Sequence, residues 1–525
     1  MSSPEHLTQQ KSFLWIVLFA LTVIGICLRL SHLNLDTLYF SDEGSYLGEA
    51  HLILDTSPSN NIHMGKPLHS FLIAASLLSK NEPLSALKLQ AILSSLWIPM
   101  IFLITQYLFN STSLSLMATL LATFDPWAYL YSRHLFPEPL STLLWMLSLY
   151  LLIHSRRDDK KLYASGFFFG LAVTANYRMI LLLYAPIVFI LWEPHWELKN
   201  KIKNSLTWLG MSMTAPVCSN VLFWLLRQRS PQKNYPGYFS QFLNLFKIHS
   251  QYGLRFDSWD TYPSLLLHYE GFFLIAFLLA GIGVLSWSQS LLKESKKIFF
   301  LTFILPILAF SFSFFPFART WSPILFWHPI LAAIGIKKLA DFSSRKISKS
   351  SLWVSGFFLI ITLVSLLPRI YSIQKSAAPY QKAISWMAHQ QPTASPLLFF
   401  SSNTLLLSQL THTQEAWVLW LDSFIQEESL RKEAYREEAH YALIDQYQFI
   451  RTGSSISTKI APPVDELKNR CQPVLSLDCE NPKEFWTHFA WEHNVKSQET
   501  KNFLKEIEKN PHHCIDIYDL PQCFP

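Results

Sequence analysis

The sequence predicts an α-helical polytopic membrane protein of about eleven transmembrane helices followed by an exported α/β domain. Three observations lead there. Half of the 525 residues are apolar and only 15% are charged, where soluble domains carry about 25% charged residues. Eleven apolar stretches approach the length of a bilayer core, which needs about 20 residues of helix. Near residue 368 the character changes: beyond it the apolar runs are short, and the net charge passes from +10 to −4. A purely cytosolic enzyme and a disordered scaffold are both excluded.

The apolar stretches run roughly over 13–31, 84–108, 112–130, 136–154, 162–176, 178–192, 204–226, 264–287, 298–315, 322–340 and 351–368. The first is long enough to remain as an anchor. The run Leu68 to Ser79 has 12 residues, too few to cross unaided, and reads as interfacial or re-entrant. With that run not crossing and the N-terminus cytoplasmic, the short loops 155–161, 193–203, 288–297 and 337–350 hold 15 Lys or Arg. The loops on the other side, longer in total, hold ten. This positive-inside bias exports the segment after residue 368. In a bacterium, the expected location is the plasma (inner) membrane.

The overall charge of +6 does not point to nucleic acid. The basic residues cluster between apolar runs, as cytoplasmic loops do, and form no stripe that could track phosphates. Two regions follow: a transmembrane region 1–368, with non-cytoplasmic loops 32–83 and 227–262, and an exported domain 369–525 of 157 residues. The latter is long enough for its own core. Short β-rich runs at 397–401, 417–421, 441–444 and 514–518 alternate with polar helical stretches such as 426–439, a small α/β pattern. Cys27 and Cys218 lie inside spans, whereas Cys471, Cys479, Cys514 and Cys523 all fall in the exported domain. Four cysteines there fit two disulfides of open pairing, or four buried thiols. No Cys-x-x-Cys spacing favours zinc.

The non-cytoplasmic ends of the spans carry ionisable residues that a plain anchor does not need. Asp42-Glu43-Gly44-Ser45-Tyr46 opens a half-amphipathic stretch after the first span. Neighbouring acids cannot share one helix face, so one can face a cavity while the other makes a structural or metal contact. A helix start capped by Ser41, with acids at the positive dipole end, would use the same residues. His63-Met64-Gly65-Lys66-Pro67 places a lysine between Gly and Pro, suited to an anionic lipid head group or to snorkelling. Arg133 and Glu138 flank His134, and Arg178 and Arg319 occupy very short turns. These residues, together with Asp42, Glu43 and Lys66, reach one membrane face from four different loops. The positive-inside rule discourages Lys and Arg there, so the set reads as a site.

The ordered series SDEGSY, HMGKPL, NEPLSALKLQAILSSLW, DPWAYLYSRHLFPEPLSTLLW and GFFFGLAVTANYRMILLL covers about residues 10–195. It resembles the dolichyl-phosphate-mannose protein mannosyltransferase superfamily, whose bacterial relatives include aminoarabinose lipid A transferases and RgtA/B/C/D-like glycosyltransferases. Residues 300–340 resemble it more loosely, and neither the loop 227–262 nor the tail shows a diagnostic match. The resemblance implies a GT-C fold and a glycosyltransferase that takes sugar from a polyprenyl-phosphate carrier on the exported side. It implies that Asp42 is the catalytic base and Glu43 its partner, that Lys66 binds the carrier phosphate, and that Arg133 and Glu138 occupy the arginine and second-acid region, Arg133 as a further donor-phosphate ligand and Glu138 as a further catalytic acid. This chain departs in having Leu68 after Pro67, where the family often has a second proline, and Glu rather than Asp as second acid.

The residue types suit that reaction. Negative charge grows on the leaving phosphate as the anomeric bond breaks, so fixed cations (Lys66, Arg178 and Arg319) stabilise the transition state more than the ground state. A base opposite the phosphate gives one in-line displacement and inversion. The expected partners are the polyprenyl-phosphate donor, a lipid, glycan or protein acceptor, and membrane lipids. No cofactor is required, although Asp42, Glu43, His63 and Glu138 could hold a divalent ion. The competing reading is a polytopic lipid or solute transporter or flippase, which would normally place its ionisable residues at the midplane within broken helices.

Overall fold

The computed structural model describes residues 4–56, 65–80, 82–155, 158–194, 196–229, 237–250, 260–287, 293–311, 318–347, 350–390, 397–401, 403–410, 416–420, 439–445, 467–493, 505 and 513–524. The structure is mostly helical. Each of the eleven apolar stretches is mostly helical where it is described, and several are broken by short non-helical turns. The helices are α1 (Pro4–Leu30), α2 (Ser41–Ile53), α3 (Pro67–Leu77), α4 (Pro83–Ser95), α5 (Trp97–Phe109), α6 (Thr112–Thr123), α7 (Pro126–Tyr131), α8 (Glu138–Ile153), α9 (Asp159–Ala175) and α10 (Tyr184–Leu191). They continue with α11 (Leu198–Arg229), α12 (Tyr238–Ser250), α13 (Thr261–Tyr269), α14 (Phe272–Trp287), α15 (Lys293–Phe299), α16 (Leu305–Ser311), α17 (Trp327–Ile347) and α18 (Ser351–Gln374).

Among the described residues, four helical segments are continuous, long and apolar enough to cross a membrane: Ser12–Leu30, Pro83–Phe109, Leu198–Gln228 and Ser351–Gln374. A fifth is bent by 59° between Ala318–Ile324 and Trp327–Arg345. The remaining expected spans are shorter or interrupted; at two of the breaks Pro126 starts a new helix after Asp125, and Gly271 separates α13 from α14. The 11-residue helix α3 is itself too short to span, and it buries Pro67, His69, Ser70, Ile73, Ala74 and Leu77. Helices α14 and α17 pack so closely that a Cβ at Gly281 or Gly335 would overlap the facing backbone at Leu331 or Phe277. Small residues permit this approach where lipid offers no hydrophobic drive between helices.

The last span runs on through Pro368 to Gln374, a little past the boundary expected at residue 368. After it come α19 (Tyr380–Gln390), β1 (Leu397–Ser401), α20 (Thr404–Leu410), β2 (Ala416–Trp420), β3 (Tyr441–Asp445), β4 (Leu475–Leu477), α21 (Pro482–His493), β5 (Ile515–Asp519) and α22 (Leu520–Cys523). The sheet order is β2-β1-β3-β5-β4. Strand β1 is parallel to β2 and β3, with Leu397 opposite Ala416 and Phe399 opposite Tyr441. Strand β5 is antiparallel to β3 and β4, with Leu443 and Leu475 both opposite Ile517. All of β3 is buried, as a central strand covered on both faces requires. The four β-rich runs of the sequence are β1, β2, β3 and β5, and the three-residue β4 had no sequence signal. The helical stretch expected over 426–439 lies outside the described residues except for Ala439. Sulfur bridges join Cys471 to Cys523 and Cys479 to Cys514.

This C-terminal region docks on the end of the bundle that carries α2. The Ala378 and Gln381 amides donate to the Asp36 carbonyl and carboxylate, each at 2.9 Å. Asn403 Nδ2 donates to the Tyr39 carbonyl at 3.3 Å and to the Tyr380 hydroxyl at 2.8 Å.

Candidate active site

Helix α2 begins at Ser41 with Phe40 at the N-cap position, and its cap is supplied from inside by Glu43. Glu43 Oε2 accepts the Tyr39 and Phe40 amides at 2.9 Å each, while Oε1 accepts the Leu135 amide at 2.9 Å and His134 Nδ1 at 3.1 Å. The carboxylate is fully buried and pins the start of α2 to the loop before α8. Glu43 was expected beside Asp42 as a catalytic partner; the structure makes it the structural member of the pair.

Asp42 points elsewhere. Its Oδ2 lies 2.8 Å from Arg319 Nη2, and its side chain is 41% exposed against 10% for Arg319. One turn along α2, Tyr46 faces the same way and accepts a hydrogen bond from Lys66 Nζ, which also lies 4.7 Å from the centre of the tyrosine ring. Lys66 sits at the N-cap of α3, where Pro67 fixes the turn into the helix. Burial pulls its ammonium down to about 8; Glu138 and Asp42 oppose that fall, and Arg319 and Arg178 reinforce it. Those four charges and Lys66 thus form one electrostatic cluster.

Glu138, in the first turn of α8, is buried and lies 3.5 Å from Arg178 Nη1. Asn176 caps the 3-10 turn Tyr177–Leu182 that carries Arg178, and its Nδ2 donates to Glu138 Oε1 at 3.2 Å. Arg319 comes from another 3-10 turn, Ala318–Ile324, and stacks over the Phe136 ring at 5.0 Å. Short breaks in otherwise helical segments therefore deliver both arginines to the cluster.

The structure gives Arg133 a different task from the phosphate binding expected of it. Its Nη1 donates to the Ser31 carbonyl at 2.7 Å and the Arg29 carbonyl at 3.4 Å, and its Nη2 to the His32 carbonyl at 2.9 Å. The open carbonyls after α1 need donors, and Arg133 supplies them. His63 lies outside the described residues. Of the other residues expected to hold a divalent ion, Glu43 is engaged by four donors, and Asp42 and Glu138 pair with different arginines. Among the described residues, the group that could hold a metal ion is instead Asp125, Glu270 and His328, all buried, with ligand atoms within 4.8 Å of one another. His328 there bridges the Tyr262 hydroxyl at 2.8 Å and Glu270 Oε1 at 2.9 Å.

Residues 65–224 match the family described as dolichyl-phosphate-mannose-protein mannosyltransferase. That segment contains Lys66, Glu138 and Arg178 but neither Asp42 nor Arg319. Among solved structures, ArnT from Cupriavidus metallidurans bound to undecaprenyl phosphate superposes with a TM-score of 0.56 at 13% identity, over 83% of this chain and 94% of that one. The oligosaccharyltransferase of Archaeoglobus fulgidus in its apo form superposes with a TM-score of 0.53 at 12% identity, over 84% and 70%. The chain has the GT-C fold. No curated protein matches the chain.

Five sequence-expected residues thus meet at one end of the GT-C bundle: Asp42, Lys66, Glu138, Arg178 and Arg319. Sequence reasoning missed three others. Tyr46 was findable, since it lies four residues after Asp42 and so on the same helix face. Tyr131 and Glu492 were not, because they meet across 361 residues of sequence: the Tyr131 hydroxyl donates to Glu492 Oε1 at 2.9 Å, and Glu492 Oε2 lies 3.6 Å from Arg319 Nε.

Proposed function

We propose that this chain is an integral-membrane, inverting glycosyltransferase that moves a sugar from a polyprenyl-phosphate carrier to a hydroxyl of a cell-envelope acceptor, on the exported face of the membrane. The observation that carries the reading is the contrast within the cluster. Lys66, Arg178, Arg319 and Glu138 are buried, whereas the Asp42 side chain is 41% exposed. One carboxylate is open to an incoming hydroxyl, and the cations beside it are desolvated and therefore act strongly on a phosphate.

In this reading the donor phosphate enters beside Lys66, Arg178 and Arg319. It takes over part of the Arg319 guanidinium and leaves Asp42 able to accept a proton. The acceptor oxygen forms a bond to the anomeric carbon as the bond from that carbon to the phosphate oxygen breaks. The electron pair leaves with the polyprenyl phosphate, and the hydroxyl proton goes to Asp42. General base assistance of this kind contributes about 10²- to 10⁴-fold. Glu138 acts through Arg178 and Glu43 through the α2 start, so both are positioning residues.

Mass spectrometry of lipids co-purifying with Asp42→Asn in mild detergent tests the proposal. A trapped polyprenyl phosphate bearing a sugar is the expected result and identifies the donor. Bulk phospholipid alone, in repeated preparations of folded protein, overturns it in favour of a transporter.

A further inference from the structure

Helix α21 belongs to the C-terminal region, yet its last turn reaches the charged cluster of the membrane bundle. Four residues earlier, His488 Nδ1 meets the Tyr39 hydroxyl at 2.5 Å, which docks the helix on the corner that Glu43 pins. Glu492 is 1% exposed. The Tyr131 hydroxyl fixes one of its carboxylate oxygens at 2.9 Å, and the other faces Arg319 Nε at 3.6 Å. Arg319 therefore has an acid at each of two nitrogens: Asp42, open to solvent at Nη2, and Glu492, buried at Nε.

The two acids cannot have the same role. Asp42 must loosen its hold on Arg319 to take a proton, and an arginine with no second holder is then free to swing away from the phosphate. We propose that Glu492 is a positioning residue of the transfer reaction, anchoring Arg319 from the C-terminal region so that the guanidinium stays beside the donor phosphate when Asp42 turns to the acceptor hydroxyl. This rests on the reading that the cluster binds a polyprenyl-phosphate sugar. Burial pushes Glu492 up to about 7, while Arg319, Tyr131 and Arg178 oppose the rise and Glu138 adds to it. Tyr39 and Tyr269 are its other electrostatic neighbours. The anchor is charged above that pH and lost below it, so turnover should fall as pH drops through about 7.

The test uses full-length protein in nanodiscs, as wild type, Glu492→Gln and Glu492→Asp. Decaprenyl phosphate serves as the binding probe. The lipid-linked sugar recovered from Asp42→Asn serves as donor, with the cell's own envelope lipid extract as acceptor. Glutamine keeps an acceptor for the Tyr131 hydroxyl, so Glu492→Gln should melt like wild type and bind decaprenyl phosphate at least as well. Its kcat should fall roughly 10-fold through misplacement of Arg319, its donor KM should not rise, and the limb near pH 7 should vanish. Glu492→Asp should restore the limb. Wild-type kcat and an unchanged pH profile in Glu492→Gln overturn the proposal, as does parallel loss of melting temperature, binding and turnover. If Glu492→Gln does not fold, a wild-type profile without a limb near pH 7 overturns it alone. Failure of the wild type both to bind decaprenyl phosphate and to transfer sugar is a separate result, which removes the functional reading and this inference with it.

Discussion

Asp42 and Glu43 are neighbours in sequence, and the structure predicts opposite behaviour when each loses its charge. In Glu43→Gln the amide oxygen can serve only one of the two donor pairs, the Tyr39 and Phe40 amides or the Leu135 amide and His134. The amide NH2 then faces the other pair, donor against donor at every backbone amide, with only His134 Nδ1 able to accept, as its other tautomer. Two charge-assisted hydrogen bonds are lost at about 1.5–3 kcal/mol each, so the cost is about 3–6 kcal/mol in a fully buried site. Asp42→Asn loses an ion pair whose acid is 41% exposed, and solvent screening brings that to about 0–1 kcal/mol. Thermal unfolding of both purified variants, with sugar transfer measured on the same samples, separates the roles. Glu43→Gln should unfold well below wild type, and Asp42→Asn should unfold with wild type but not turn over. A Glu43→Gln variant that melts like wild type and has lost only turnover refutes the assignment of Glu43 as a structural cap.

Four further outcomes follow from contacts elsewhere in the structure. Lys66→Ala should weaken decaprenyl phosphate binding by about tenfold or more, the equivalent of one charge-assisted hydrogen bond, read by equilibrium binding in nanodiscs. Because burial brings Lys66 down to about 8, its positive charge is present below that pH and lost above it; wild-type affinity should decline above about pH 8, and Lys66→Arg, which stays charged, should not show the decline. Arg133→Ala leaves the Arg29, Ser31 and His32 carbonyls without their donor, so the yield of folded protein should drop while the surviving fraction binds decaprenyl phosphate as wild type does; a selective loss of binding would return Arg133 to the phosphate site. Non-reducing peptide mapping should recover the pairs Cys471–Cys523 and Cys479–Cys514, and reduction should destabilise the C-terminal region by about 4 kcal/mol per bridge.

The apolar stretches are legible in the sequence because hydropathy averages over some twenty residues, about the length a bilayer demands. Their interruptions are harder to see, yet the interruptions hold the chemistry. Asp125 precedes Pro126 at the break between α6 and α7, Glu270 closes α13 before Gly271, and Arg178 and Arg319 ride on 3-10 turns inside apolar runs. A broken helix frees backbone groups that must find partners inside the protein, so a charged side chain at the break is both a cost and a means of satisfying them. Arg178 and Arg319 are legible as charges in short turns at one face, whereas nothing in the local pattern pairs Asp125 with Glu270, which meet only in the fold.

The adjacent acids show what local sequence can decide. Their spacing alone says that they cannot share a helix face, and the structure sends one to the solvent-open cluster and the other to a buried cap. Which acid takes which role depends on the Leu135 amide and His134, nearly a hundred residues away and silent in the local pattern. Arg133 is the reverse case: a basic residue in a motif-like context that serves three carbonyls after α1. Glu492 carried no signal, since nothing near it in sequence is part of the site and its partners Tyr131 and Arg319 come from the membrane bundle. A site assembled at the junction of two regions is therefore half legible. Residues supplied by the bundle announce themselves as charges where charge is expensive, whereas those supplied by the C-terminal region look like any soluble surface until the fold brings them in.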